Sequence, residues 1–175
     1  MENSYYYAII CEGSAEEAIM EILIENDLLH FKKEDLLEEQ VIRCRSPKKF
    51  EERYLRTDFS RKIKVYRILD SHKEKFKLSK TFQDKVEVET VVTSPEIEML
   101  IIHAENAYKD YLKKKSKVKP SDYCKTVLKL PKVKEYEWVK AYFSDVDKLL
   151  SAMKEYDRCT KKRKGELTLL DLVKK

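Results

Sequence analysis

Carboxylates dominate the chemistry-bearing residues of this chain, and they fall at places where elements end. Glu12 precedes Gly13, one of only two glycines in 175 residues, after the apolar run Tyr5–Cys11. Glu16 and Glu17 follow within one helical turn. Asp70 closes the run Ile63–Leu69, with His72 two positions later, and Glu96 and Glu98 follow the third apolar run at Pro95. Carboxylates gathered without a cation repel one another. Oxygen donors without cysteine suit Mg²⁺ or Mn²⁺. Such ions stabilise the attacking and leaving oxygens of phosphoryl transfer. Glu12 and Asp70 are the candidate catalytic acids.

Positioning these groups requires strands that end on one edge. Residues 5–11 read as a strand, since they are short, aromatic and β-branched and stop at Glu12-Gly13. The glycine is expected to supply backbone angles closed to other residues. Residues 15–29 carry Ala15, Ala18, Ile19, Ile22 and Leu23 at helical spacing. Ser14 and Glu17 are spaced as a capping box. A short helix over 33–39 and a weak strand over 41–44 follow. Ser46-Pro47 opens a helix. Ile63–Leu69 and Val86–Thr93 read as further strands, Thr93-Ser94-Pro95 as the start of a helix reaching Leu112, and Asp145–Tyr156 as an amphipathic helix. Strands alternating with helices predict α/β architecture: a central parallel sheet of about four strands flanked by helices. One domain is expected, with a core over 1–112 and a helical extension over 113–175. In a parallel sheet all carboxyl ends share one edge, the usual location of sites, so Glu12 and Asp70 can converge.

Composition narrows the class. Charged residues make up 39% of the chain and hydrophobic ones 42%, yet the net charge is only +5. Both signs are abundant, which fits charge-laced helices better than a dedicated cationic binder. Cysteines at 11, 44, 124 and 159 form no C-x-x-C pair and no zinc spacing with histidine. The opening Met1-Glu2-Asn3 begins no leader of basic and then apolar residues, and no apolar run has membrane-spanning length. The expectation is a reduced, cytoplasmic protein without a membrane partner.

The motifs resemble the Toprim family, whose first strand ends in Glu-Gly and whose later strand ends in Asp-x-Asp. Here those places hold Cys11-Glu12-Gly13 and Leu69-Asp70-Ser71-His72. Glu16 is similar to the additional acid in the Glu-Gly-x-x-Glu of OLD-type (overcoming-lysogenisation-defect) Toprim nucleases. Thr93-Ser94-Pro95-Glu96-Ile97-Glu98-Met99-Leu100 resembles the Ser-Asn-Pro-x-x-Glu-Leu signature of the RloB-like branch, with Glu98 as the family's glutamate. The resemblance spans the first 110 residues or so. It implies a Toprim-like fold and a metal-dependent nuclease acting on DNA or RNA, in phage defence or a mobile element, with a partner protein of a defence system. Its metal ligands would be Glu12, Glu16, Asp70, His72 and Glu98. His72 departs from the family's second Asp, and imidazole is a poorer partner for Mg²⁺ than for Mn²⁺. A non-catalytic Toprim-like scaffold that binds a partner protein or nucleic acid is the alternative.

Each residue also has a plainer explanation. Glu12 can be a turn charge. Glu16 and Glu96 can complement helix dipoles, and Asp70 can cap a turn. Glu98 is harder to explain so, because it lies within the apolar run Ile97–Ile102, where a carboxylate needs a partner. The lysine runs 113–117 and 161–164 fit solvated loops as well as phosphate contacts.

Overall fold

A computed structural model describes residues 4–175. The first three residues, where the reading of the chain's opening rests, lie outside it. Four strands form one sheet in the order β1-β2-β3-β4: β1 Tyr5–Ile10, β2 Lys62–Leu69, β3 Val86–Val92 and β4 Glu166–Leu167. Every pairing is parallel, with Ala8 beside Val65 and Val65 beside Val88. The architecture is the expected α/β arrangement, a parallel sheet flanked by helices.

Parallel strands are covered on both faces, so their sequences read as nearly continuous apolar runs. Alternation divides them between two layers. Tyr7, Ile9, Cys11, Tyr66, Ile68 and Val91 enter the larger layer. There they meet α1 (Ser14–Glu25), α3 (Met99–Ala104), α5 (Pro120–Thr126), α6 (Tyr136–Tyr142) and α7 (Val146–Cys159). Ala8, Ile10, Ile63, Val65 and Val86 enter the smaller layer under Phe50 and Tyr54 of α2 (Pro47–Tyr54), closed by Phe76 and Leu78. Fully burying one such side chain is worth about 1.5–3 kcal/mol. The two layers therefore fix which face each strand-end residue takes.

Several expectations change in the structure. The C-terminal part is more than a helical extension: it returns as β4, pairing Val91 with Leu167, and its helices complete the larger core. The helix from Ser94 to Leu112 is two helices, α3 and α4 (Tyr108–Lys114), divided at Asn106, whose φ is 54°. Asparagine tolerates that left-handed conformation better than most residues. The short helix over 33–39 contracts to a single 3₁₀ turn at Lys33–Asp35. The weak strand over 41–44 is one bridge, Ile10 to Ile42. Ser46 does cap α2, accepting a hydrogen bond from the Lys49 N–H at 3.3 Å. All four cysteines are free, with Cys11 and Cys124 buried. Among the described residues no helix is long and apolar enough to cross a membrane.

Candidate acidic site at the carboxyl edge

Glu12 follows β1 at the carboxyl edge, where the Cys11 N–H donates to the Ile42 carbonyl at 3.2 Å. On the neighbouring strand Arg67 pairs in register with Ile10 and is only 2% exposed. Its Nη2 donates to Glu12 Oε1 at 3.0 Å and to Glu74 Oε2 at 3.3 Å, and its guanidinium lies 4.9 Å from the Phe76 ring centre. Burial raises the Glu12 carboxyl above its ordinary value. Glu74 adds to the rise, and Arg45 and Arg67 oppose it without cancelling it. Glu12 thus belongs to a Glu-Arg-Glu group built around a buried guanidinium on the small-layer side.

Gly13 is the N-cap of α1 with φ −112° and ψ 164°, extended angles that any residue adopts. The expectation of special angles is therefore wrong, and the reason for glycine is contact. The Glu16 carboxylate folds back so closely that a Cβ on Gly13 would collide with it. The capping box is also absent: α1 has no side-chain cap. Ser14 and Glu17 instead share Arg43, which donates from Nη2 to Ser14 Oγ at 3.0 Å and from Nε to Glu17 Oε2 at 2.7 Å. Sequence spacing could not reveal a competing cation 26 residues away from Glu17.

The remaining acids gather on the large-layer side. Burial raises the Glu16 carboxyl, with the charges of Asp70 and Glu12 adding to it and its own backbone N–H and Lys134 opposing. Asp70 lies exposed just past β2. Glu98 is the N-cap residue of α3, where its carbonyl accepts from the Ile102 N–H at 3.1 Å. Its side chain is 3% exposed, and burial pushes its carboxyl up to about 7, with Glu96 and Glu16 adding to the rise. Against this stands Lys134, with Nζ 3.9 Å from Glu98 Oε1 and 3.7 Å from Glu96 Oε1. Glu96 is no helix-dipole partner of α3. Its Oε2 accepts from the Ser121 N–H at 2.7 Å, joining the β3–α3 connection to the start of α5.

Glu12, Glu16, Asp70 and Glu98 are linked in this way through their charges along one edge. His72 has a different partner: its Nδ1 lies 2.6 Å from Glu166 Oε1 on β4. That contact spans 94 residues and depends on β4, which the sequence did not signal. Among the described residues no three His, Cys, Asp or Glu side chains stand, as arranged, close enough to hold a metal ion together. Sequence reasoning missed Arg67 and Lys134. Arg67 had a signal, a lone charge among Val65, Tyr66, Ile68 and Leu69, where a partner is obligatory. Lys134 had none, being one lysine among many in a loop.

Comparison of the chain with protein-family models, with curated proteins and with solved structures finds no match.

Proposed function

We propose that this protein is a divalent-metal-dependent phosphoryl-transfer enzyme of the Toprim type, acting as a nuclease on DNA or RNA. One observation carries the reading: burial raises the carboxyls of both Glu16 and Glu98, Asp70 adds to the rise at Glu16, and Lys134 Nζ stands 3.9 Å from Glu98. Buried acids held this way are under-compensated, and perturbed groups of this kind collect at functional sites. The donor set is all oxygen once His72 is set aside, which fits Mg²⁺ or Mn²⁺. Glu16, Asp70 and Glu98 are the residues that would hold the ion, with Glu12 drawn off by Arg67, and the ion would supply stabilisation of charge on a phosphodiester. Lys134 offers a positive charge to a phosphate oxygen. Glu98, whose carboxyl burial pushes up to about 7, can accept a proton on Oε1 or Oε2. Within this reading a role in phage defence or a mobile element, with a partner protein, is the biological setting.

A second reading, the non-catalytic scaffold, is favoured by two contacts. Arg67 occupies Glu12, and Glu166 occupies His72. Cleavage assays decide between them. Single- and double-stranded DNA and RNA are incubated with Mg²⁺ or Mn²⁺ and the wild type, Asp70→Asn or Glu98→Gln. The enzyme reading expects cleavage by the wild type that both variants lose by about a hundredfold or more. Cleavage that survives both substitutions removes these acids from the mechanism. No cleavage of any substrate leaves the scaffold.

A further inference from the structure

Beside the acidic edge lies a cavity of about 430 Å³, which the acids do not line. Its wall is aromatic, formed by His103, Tyr108 and Tyr156. The His103 and Tyr108 rings are stacked with centres 4.4 Å apart, and Tyr156 meets His103 edge-on at 6.3 Å. Burial lowers the pKa of His103. Its Nε2 is buried with no protein hydrogen-bond partner among the described residues. Tyr156 is fixed in place, its hydroxyl donating to the Ser94 carbonyl at 2.8 Å.

The rim is cationic. Lys115, Lys119 and Lys161 line the opening, all three exposed. None of them makes an ion pair with a described residue. Their sequence neighbours Lys114 and Lys162 are paired instead, with Asp110 at 2.8 Å and with Asp157 at 3.0 Å. The cavity and the acidic edge share a partition. The segment after β3 puts Pro95 and Met99 on the cavity wall, while Glu96 and Glu98, alternating with them, belong to the acidic group.

We infer that this cavity binds a nucleotide, with its base against Tyr108, the partly exposed ring backed by buried His103 and Tyr156, and its phosphate at Lys115, Lys119 and Lys161. The dimensions suit one: ligand pockets begin at roughly 300 Å³. An exposed aromatic ring stacks on any base, at about 1–3 kcal/mol per base. Unpaired lysines take phosphate without first breaking an internal ion pair. The aromatic wall favours a base over an acidic peptide, which would need only the rim. The inference goes beyond the phosphoryl-transfer reading and does not depend on it, because it requires no metal.

The test is calorimetric titration in EDTA, so that a failure of metal chemistry cannot affect it. AMP, adenosine, a single-stranded hexa-adenylate and a hexaglutamate peptide are titrated into the wild type and into the triple variant Lys115→Ala/Lys119→Ala/Lys161→Ala. These exposed, unpaired lysines leave the fold intact, which thermal melting verifies. AMP is expected to bind with a Kd below about 1 mM. The triple variant should lose about tenfold for AMP and little for adenosine, and Tyr108→Ala should weaken both. Hexa-adenylate binding about tenfold tighter than AMP identifies a strand as the source of the nucleotide. Equal or weaker binding identifies the free nucleotide. No AMP binding at roughly 10 mM, AMP binding unchanged in the triple variant, or hexaglutamate binding in place of AMP would each overturn the inference.

Discussion

Glu12 and Glu98 stand on the same sheet edge, and burial raises both carboxyls, yet the two halves of the edge are built differently. On the small-layer side Arg67 lies within hydrogen-bond reach of Glu12 and Glu74, a buried guanidinium backed by an aromatic ring. On the large-layer side Glu16 and Glu98 are opposed by Lys134, which is more than half exposed and whose Nζ comes no nearer to Glu98 than 3.9 Å. The first half sets a buried cation between its acids and reads as structure. The second leaves negative charge without a matching cation, and chemistry is to be sought there.

Removing the internal cation breaks the comparison most severely. Arg67→Met should strand Glu12 next to Glu74 and cost about 2–3 kcal/mol in denaturant unfolding, less than a fully buried pair because both carboxylates keep some contact with solvent. Adding Glu12→Gln to that variant should recover part of the loss. A small cost for Arg67→Met would mean that the two halves do not differ as described.

Glu98→Gln should act in the opposite direction. A carboxyl whose pKa is raised from about 4.5 to about 7 on folding is penalised when charged. Below the unfolded value both states are protonated and there is no penalty. As pH rises from 4.5 to 7 the unfolded chain gives up its proton first, so stability falls, and above the folded value the loss is complete. The substitution should therefore raise metal-free stability at pH 8 by roughly 2 kcal/mol, change little at pH 4, and flatten the profile between them. Thermal melting across that pH range measures it.

Gly13→Ala should have the smallest effect on stability, within about 1 kcal/mol, since its backbone angles suit alanine and the obstacle is the end of a flexible side chain. Its consequence should be local. The Glu16 carboxylate must swing off the cap, and any ion affinity of the large-layer half should change while the small-layer half stays as it was. Parallel melting and Mn²⁺ titration separate the two effects.

What could be read in advance follows the range of each interaction. β1, β2, β3, α1, α2 and α7 were visible, because hydrophobic period and Pro or Asp starts are local signals. So was Glu98, a carboxylate in an apolar run that had to be special. β4 was not, because two residues, Glu166 and Leu167, carry no period of their own and pair only because α7 delivers them beside β3. The partners of Glu17, His72 and Glu12 lie 26, 94 and 55 residues away, so the first two acquired roles that spacing could not supply and Glu12 a cation that spacing could not show. Gly13 was correctly singled out for the wrong reason, a close contact in place of an unusual backbone angle.

Calorimetric titration of Mn²⁺ into the wild type and Glu98→Gln, at pH 6 and pH 8, tests the central claim most directly. An acidic site that lacks its cation should bind Mn²⁺ in the wild type, more tightly at pH 8 because ionising Glu98 no longer opposes binding, and should release a proton at pH 6. Glu98→Gln should bind at least about tenfold more weakly and lose that proton release. Wild-type binding that is absent at millimolar ion, or that is indifferent to both Glu98→Gln and pH, would contradict the account.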